Sequence, residues 1–211
     1  MNQLVGAAGR KLARLATRAV VARPSLWRVF RRPLRAQFDA LAPEWDGIMG
    51  PEALAPLAVA LDRLAVEPAR VLDLGTGTGK AARLVAERFP AAEVVGVDVS
   101  PAMVKEGREL LPAELDDRVR FEVADASALP FADGAFDLVV LLNMIPFFGE
   151  IARVTAPGGT VAVAHVSGPS TPIWTPPDTL RRKLAEVGFG RFEELAAGAG
   201  TAFLARKPPR E

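Results

Sequence analysis

The feature that constrains this chain most is a short apolar run that ends in three alternating glycines. Val71 to Leu74 is apolar except for Asp73, and Gly75-Thr76-Gly77-Thr78-Gly79 follows before a helical pattern begins at Lys80. Glycines at a strand-to-helix junction allow tight turns, and they let a ligand approach the main chain more closely than a Cβ would permit. The pattern therefore predicts a strand, a ligand-binding loop and a helix in succession.

After residue 70, apolar strands alternate with helical patterns. Strands are predicted at 71–74, 94–97, 119–123, 136–142 and 161–166, and helices at 80–89, after Ser100-Pro101, near 149–154 and at 178–187. Pro157-Gly158-Gly159 predicts a turn before the fifth strand, and segments 191–196 and 201–205 predict a closing antiparallel hairpin. Strand–helix alternation with apolar strands predicts a mostly parallel sheet that is covered by helices on both faces.

Composition excludes several chemistries. The 211 residues suit one domain with a small appendage, and cysteine is absent. Without cysteine there are no disulfides or thiolate metal sites, which agrees with a reducing, cytoplasmic setting. A single histidine, His165, argues against a histidine-based zinc site, so no metal is predicted. The apolar runs are too short to span a bilayer.

The glycine loop fits neither common phosphate-binding pattern. A P-loop needs four residues between its glycines and a hydroxyl residue after its lysine, but Gly75 and Gly79 enclose three and Ala81 follows Lys80. A dinucleotide fingerprint needs glycine where Lys80 stands, and the anionic Asp73 would repel a pyrophosphate. Asp73 instead suits a ligand that carries positive charge.

The run from Asp73 to Gly79 resembles motif I of the class I S-adenosylmethionine-dependent methyltransferases. Further matches follow at Asp98 to Met103, at Asp125-Ala126, at 131–139 and at 151–159, so the similarity extends over about residues 36–206. It is nearest to the methyltransferase type 11 domain of the ubiquinone/menaquinone methyltransferase group. The resemblance implies an α/β, Rossmann-like three-layer sandwich with a mostly parallel seven-stranded sheet, a C-terminal antiparallel hairpin and an N-terminal helical arm.

The resemblance also implies a cofactor, S-adenosyl-L-methionine, and the residues that bind it. Asp73 and the glycine backbone hold the methionyl part, Asp98 accepts both ribose hydroxyls, and Asp125 with Ala126 reads the adenine amino edge. Taken singly, each aspartate has a structural alternative as a helix-dipole partner, an N-terminal charge or a turn residue. The implied cofactor-binding set is Asp73, Gly75, Thr76, Gly77, Gly79, Asp98, Val99, Met103, Asp125, Ala126 and Asn143.

Two residues are candidates for a catalytic role, and each has a structural alternative. His165 ends the fifth strand, on the edge where open parallel sheets bind ligands, and it is the candidate base. Asn143 ends the fourth strand, and the resemblance implies that acceptor and sulfonium meet close to it. The segments 143–156 and 167–177 are short or rich in proline, so the sequence predicts that no large lid covers the acceptor.

The N-terminal arm, residues 1–45, differs in charge from the body, residues 46–211. Residues 1–35 carry nine basic groups and no acid, which leaves 17 basic and 25 acidic groups in residues 36–211, a net charge of −8. Residues 5–21 are amphipathic on a helical wheel. The arm is interpreted as a helical layer packed on the body, as a helix at an anionic membrane surface, or as a transit peptide. Nucleic-acid binding is disfavoured because the acidic body repels phosphates.

Two functions from different classes remain open. The first is a methyltransferase that moves a methyl group from S-adenosylmethionine to a small-molecule acceptor, lipophilic acceptors included, by in-line displacement. The second is a non-catalytic protein that binds S-adenosylmethionine or a partner and lacks an acceptor lid. The sequence predicts cytoplasmic location with a peripheral membrane contact through residues 1–35 as an alternative, and it predicts no oligomeric state.

Overall fold

One seven-stranded sheet organises residues 6–210, which are the residues that the computed structural model describes. The strand order is β3-β2-β1-β4-β5-β7-β6; β1 to β5 are parallel, and β7 runs antiparallel to both β5 and β6. The mostly parallel sheet and the C-terminal hairpin are confirmed. The strands are β1 (Arg70–Leu74), β2 (Glu93–Asp98), β3 (Val119–Val123), β4 (Phe136–Leu142), β5 (Thr155–His165), β6 (Gly190–Ala197) and β7 (Gly200–Arg206).

Helices cover both faces of the sheet, because alternate residues of each strand enter two separate cores. Leu72 joins the core that includes residues of α1, α2, α7 and α8, whereas Val71 joins the core with α4, α5 and α6. The three predicted layers are thereby confirmed. The helices are α1 (Ala7–Ala22), α2 (Trp27–Leu41), α3 (Trp45–Ile48), α4 (Ala55–Leu61), α5 (Lys80–Arg88), α6 (Pro101–Glu109), α7 (Phe148–Val154) and α8 (Pro177–Glu186).

Local sequence explains where α6 begins. Pro101 occupies the first helical position, and the hydroxyl of Ser100 accepts a hydrogen bond from the backbone N–H of Met103 at 3.1 Å. This is the predicted N-cap arrangement, and it starts the helix directly after β2. The end of β2 and its connection to α6 therefore have a fixed position at the edge of the sheet.

The prediction of a turn at Pro157-Gly158-Gly159 is wrong. These residues lie inside β5, where the pairing with β4 shifts register between Phe136 and Leu138. Gly158 has φ of 78°, its N–H donates to Pro208 at 3.0 Å, and the carbonyl of Gly159 accepts from Lys207 at 2.8 Å. Pairing with the distant C-terminal segment continues the strand through a bulge, and the local sequence carries no signal of that pairing.

The described part of the N-terminal arm packs on the sheet. Ala16, Val20 and Leu34 are buried in the same core as Leu72 of β1. Residues 1–5, including the start of the predicted amphipathic stretch, lie outside the described residues, and the domain boundary at residue 45 stays a prediction. Across residues 6–210, no helix combines the length and the apolar character needed to cross a bilayer.

Candidate functional site

A cavity lies at the carboxyl ends of β1, β2 and β4, which is where open parallel sheets bind ligands. The sheet edge supplies one wall through the glycine loop and the residues that follow β2 and β4. The N-terminal arm supplies another wall through Ala13, Trp27, Leu34 and Phe38. The prediction that no lid covers the acceptor is therefore corrected, because the cover comes from the N-terminus rather than from the segments after β4 and β5.

The glycine loop has the backbone shape that requires glycine. Gly75, Gly77 and Gly79 have φ of 76°, 54° and 84°, in the left-handed region that residues with a Cβ disfavour. A Cβ at Gly75 would lie 2.5 Å from the sulfur of Met144. The N–H groups of Gly75 and Thr76 both donate to the carbonyl of Val97 at 2.9 Å, which fixes the loop against β2.

Gly79 serves packing rather than the cavity. A Cβ at this position would lie 2.3 Å from the ring of Phe121, so glycine is needed where α5 crosses β3. Gly79 does not line the cavity, whereas Gly75, Thr76 and Gly77 do. Gly79 therefore has a packing role in the structure, whereas the other three residues of the motif lie on the cavity wall.

Asp73 presents a buried carboxylate to the cavity. Its side chain is fully buried, and Oδ2 accepts a hydrogen bond from the hydroxyl of Thr76 at 2.5 Å. Its other oxygen, Oδ1, has no hydrogen-bond partner. Burial raises the pKa of Asp73 to about 7, although the hydrogen bond from Thr76 and a weaker interaction with the backbone N–H of Ala82 act in the opposite direction. A cationic group in the cavity would partner Oδ1 and restore the ionised form.

Asp98 ends β2 with its carboxylate at the cavity. Oδ2 accepts from the N–H of Gly77 at 3.0 Å, and Oδ1 accepts from the N–H of Ser100 at 2.9 Å. Burial raises the pKa of Asp98, while these two backbone hydrogen bonds lower it. Each carboxylate oxygen can accept about two hydrogen bonds, so each retains capacity for one more donor. Two hydroxyl groups on neighbouring carbons are ligands of the right kind for such a fork.

Apolar residues next to Asp98 form a slot that suits a flat ring. Val99, Met103, Ala124 and Ala126 all line the cavity, and Met103 is almost completely buried. Val99, Met103 and Ala126 were all predicted from the sequence. The arrangement agrees with a nucleoside whose sugar meets Asp98 and whose base enters the slot.

Asp125 has hydrogen-bond partners that the sequence does not predict, and its cofactor contact stays a prediction. Its neighbours Ala124 and Ala126 line the cavity, but Asp125 itself does not. Its Oδ1 accepts from the indole N–H of Trp27 at 2.8 Å, and its Oδ2 accepts from Arg31 at 2.9 Å. Local sequence shows neither contact, because both partners are more than 90 residues away in the chain.

Beyond the glycine loop, the cavity wall is apolar. Met144, Ile145 and Ile173 line it from the sheet side, opposite the arm. Asn143 also lines it and has φ of 52°, an uncommon backbone conformation for a residue with a side chain. The side-chain oxygen of Asn143 accepts from the N–H of Val166 at 3.0 Å, which holds the end of β4 in this conformation.

His165 does not belong to the cavity, and its predicted role as a base is corrected. Its ring lies in a separate depression near α8, and its Nε2 accepts a long hydrogen bond, 3.4 Å, from the N–H of Thr175. Burial lowers the pKa of His165 to about 4, so the ring is neutral at pH 7. The ring packs edge-on against Trp174, with ring centroids 4.7 Å apart, beside α8 and not at the cavity.

The sequence does not identify one segment that packs against the glycine loop. In this segment, residues 45–49, Trp45 lies so close to Gly77 that a Cβ there would be 3.0 Å from the indole nitrogen. Lys80 donates to the carbonyl of Asp46 at 2.9 Å and also to that of Met49, and Arg83 pairs with Asp46 at 3.3 Å. Lys80 therefore anchors this segment. The local sequence carries no signal of this packing, because Lys80 and Arg83 lie more than 30 residues away in the chain.

The ionisable side chains on the cavity wall are few. Among the described residues they are Arg10, Asp73, Lys80 and Asp98, and within residues 6–210 no cluster of histidine and carboxylate side chains could hold a metal ion. The rest of the wall is consequently mostly apolar, while the two carboxylates lie at the sheet edge.

Comparisons with known proteins agree with this geometry. Residues 71–159 match a family model described as a methyltransferase domain. A demethylmenaquinone methyltransferase from Thermus thermophilus is 46% identical over 109 residues, which are 48% of this chain and 49% of that protein. A malonyl-[acyl-carrier protein] O-methyltransferase from Halorhodospira halophila is 38% identical over 75% of this chain and 54% of its own length. The chain thus spans about half the length of these curated relatives.

Solved structures share the fold. A Haloferax volcanii methyltransferase in complex with its activator Trm112 superposes with a TM-score of 0.69 at 23% identity, over 81% of this chain and 97% of the other. An S-adenosylmethionine-dependent methyltransferase from Aquifex aeolicus gives 0.60 at 20% identity, over 76% and 95%. With the matching family model and the sequence relatives, the chain belongs to the class I S-adenosylmethionine-dependent methyltransferases.

Proposed function

We propose that this chain transfers the methyl group of S-adenosylmethionine to a small, lipophilic acceptor. The observation that carries the proposal is Asp73, a fully buried residue of the cavity wall whose Oδ1 has no hydrogen-bond partner. A buried, unpaired carboxylate oxygen is costly unless a ligand completes it. The amino group of a bound methionyl moiety is a cation that meets this need beside a loop in which only glycines fit.

The other residues of the cavity fit the remaining parts of the cofactor. Asp98 accepts the two ribose hydroxyls with the capacity left on its oxygens, and the slot lined by Val99, Met103 and Ala126 receives adenine. When bound, the cofactor supplies a methyl group on a positively charged sulfur that leaves readily. Met144 and Asn143 lie beyond the loop, and we propose Asn143 as a positioning residue beside the transferred methyl group.

Placement is the main catalytic contribution of the cavity. Met144, Ile145 and Ile173 on one side and the arm on the other exclude water and hold an apolar acceptor in line with the methyl–sulfur bond. Such alignment contributes roughly 7–11 kcal/mol to lowering a bimolecular barrier. The nucleophile forms a bond to the methyl carbon as the carbon–sulfur bond breaks. We propose an acceptor that needs no dedicated base, such as a carboxylate or a hydroquinone anion.

Two measurements test this function. Calorimetry should detect binding of S-adenosylmethionine and S-adenosylhomocysteine, with NAD as the negative control. Transfer of a labelled methyl group should then be assayed with reduced demethylmenaquinone in detergent micelles and with a malonyl thioester. Cofactor binding without methyl transfer to any acceptor would support the non-catalytic alternative. One reason for that alternative, the expected absence of a lid, is removed by the arm residues that line the cavity. Absence of binding by S-adenosylhomocysteine contradicts the proposal.

A second proposal concerns location: the enzyme is cytoplasmic and touches an anionic membrane through its arm. Leu15 and Val29 are 59% and 60% exposed on the arm's outer surface, which is an uncommon placement for large apolar side chains. The arm also carries exposed basic residues, of which five form no salt bridge within residues 6–210: Lys11, Arg18, Arg23, Arg28 and Arg32. Apolar residues among basic ones suit an anionic lipid surface.

A further inference from the structure

Lys80 follows the glycine loop directly, and the proposed function gives it no role. It is the first residue of α5, where a cation is disfavoured because a helix N-terminus carries partial positive charge. Segment 45–49 compensates for this charge. Nζ of Lys80 donates to the carbonyl of Asp46 at 2.9 Å and to that of Met49, and it lies 3.6 Å from the carboxylate of Asp46. The side chain of Lys80 is only 19% exposed, so these oxygens are its main charge partners.

Asp46 connects the same segment to two more residues beside the cavity. Its carboxylate accepts a hydrogen bond from the hydroxyl of Thr78 and another from Arg83 at 3.3 Å. Arg83 also donates to the carbonyl of Thr78 at 2.8 Å, which joins the glycine loop to α5. All these contacts link segment 45–49 to residues 78–83, and all of them are polar.

Burial contributes little to holding segment 45–49 in place. None of its five residues is buried, whereas Leu41 before it and Ala53 after it are each 2% exposed. Trp45 packs edge-on against Phe38, with ring centroids 5.6 Å apart. A segment with few buried contacts between two buried anchors can open locally at a lower free energy than the core.

The segment is also part of the cavity wall. Trp45, Ile48 and Met49 line the cavity together with Gly77. A Cβ at Gly77 would lie 3.0 Å from the indole nitrogen of Trp45, so the ring lies directly against the glycine loop. Displacement of the segment would therefore open the cavity beside this loop.

We propose that segment 45–49 is a gate for entry and exit of the cofactor, and that Lys80 and Asp46 are positioning residues that latch it closed. The proposal rests on the proposed function in assigning the cavity to S-adenosylmethionine. The latch contacts join protein groups only, so they stabilise the closed gate equally in the free and the bound protein. Weakening the latch should raise the open fraction of both by one factor, which speeds entry and exit alike and leaves affinity unchanged.

The test compares Lys80→Met and Asp46→Asn with a matched control, Asp62→Asn. Asp62 pairs with Arg88 at the other end of α5 at 3.2 Å, and neither residue lines the cavity. Stopped-flow tryptophan fluorescence measures association and dissociation of S-adenosylhomocysteine, and calorimetry measures its Kd. Hydrogen exchange of the amides in segment 45–49 measures opening in the free protein, because opening should break the single turn of α3.

Lys80→Met should raise the association, dissociation and exchange rates about tenfold or more, because hydrogen bonds from a charged donor are lost. Asp46→Asn should raise them about two- to fivefold, as expected for partly exposed ion pairs, since its backbone carbonyl still binds Lys80. In both variants Kd should stay within about twofold of the wild type, because the two rates change together. Asp62→Asn should match the wild type in every measurement.

A weaker affinity with an unchanged association rate in Lys80→Met would show that Lys80 contacts the cofactor itself, and it would overturn the gate. Equal rates in Lys80→Met and Asp62→Asn would overturn the latch. If the wild type does not bind S-adenosylhomocysteine, the proposed function fails. The exchange comparison in the free protein then still decides whether Lys80 and Asp46 hold the segment closed.

Discussion

The sheet edge of the cavity carries the two carboxylates and comes largely from residues 73–103, whereas the opposite wall is mostly apolar and comes largely from the N-terminal arm. The sheet edge holds its carboxylates in place with backbone N–H groups and a loop in which only glycine fits. The arm side is held by side chains, chiefly Trp27 and Arg31 on Asp125. The wall held by backbone groups and glycines tolerates few substitutions. The wall held by side chains can be altered by substitution without a change in the backbone.

The largest expected effect is at the sheet edge. Gly77→Val should abolish detectable cofactor binding, because φ of 54° disfavours a branched residue and a Cβ would crowd Trp45 at 3.0 Å. Calorimetry with S-adenosylhomocysteine measures the loss. Gly188→Val is the control, since it imposes similar backbone strain at φ of 92° in open space away from the cavity. Normal binding by Gly77→Val would mean that the loop is only a turn.

The variant Asp73→Asn tests whether the carboxylate at the sheet edge is buried without a partner for its charge. The pKa of Asp73 lies above its ordinary value of 3.8, at about 7. At Asp73 the folded state therefore binds more protons than the unfolded state in this range, and the contribution of Asp73 to stability falls as pH rises from about 4 to 7. The side-chain amide of the variant does not ionise. The free energy of unfolding of the variant minus that of the wild type should therefore increase between about pH 4 and pH 7.

The full advantage should be on the order of 4 kcal/mol in the free energy of unfolding at pH 8, from about three pKa units. Urea titrations of both proteins from pH 4 to pH 8 measure it, and taking the difference cancels the contribution of His165. Saturating S-adenosylhomocysteine should reduce it, because the bound amino group stabilises only the ionised wild-type carboxylate. A difference that does not vary with pH would contradict the raised pKa.

Asp98→Ala should weaken cofactor binding by about 2–4 kcal/mol, since hydrogen bonds from two ribose hydroxyls to a charged acceptor are lost. Calorimetry of S-adenosylhomocysteine against its 2′-deoxy analogue sharpens the result, because the variant should discriminate less between them than the wild type does. Asp117→Ala, in an exposed loop, is the control. Unchanged affinity in Asp98→Ala would show that β2 is wrongly assigned as the ribose-binding strand.

The smallest expected effect is on the outer surface of the arm. Leu15→Asp should weaken binding to vesicles of mixed anionic and neutral lipid by about 1–2 kcal/mol, because an inserted apolar side chain is lost. Sedimentation with vesicles measures it, and the wild type should dissociate as salt is raised. Val66→Asp, 70% exposed on the body, is the control. An equal loss in both variants, or none in either, contradicts membrane contact by the arm.

The sheet edge was predictable because its determinants are local. The order of strands and helices follows from apolar runs, and the glycines, Ser100-Pro101 and the strand-terminal aspartates carry their meaning within a few residues. Their predicted positions at Asp73, Gly75, Gly77, Asp98 and Met103 coincide with the cavity wall. The predicted cofactor contacts themselves stay predictions. Pro157-Gly158-Gly159 was misread because its strand depends on pairing with residues 207–208.

The sequence by itself determined the layered sheet, the glycine loop and the acids that end β1 and β2, since each depends on residues that are neighbours in the chain. Only the tertiary structure decided that the arm covers the cavity, that Asp125 is held by Trp27 and Arg31, and that His165 faces away. These depend on contacts between segments tens of residues apart. No local pattern encodes such contacts, because they arise from how amphipathic helices dock on a completed sheet.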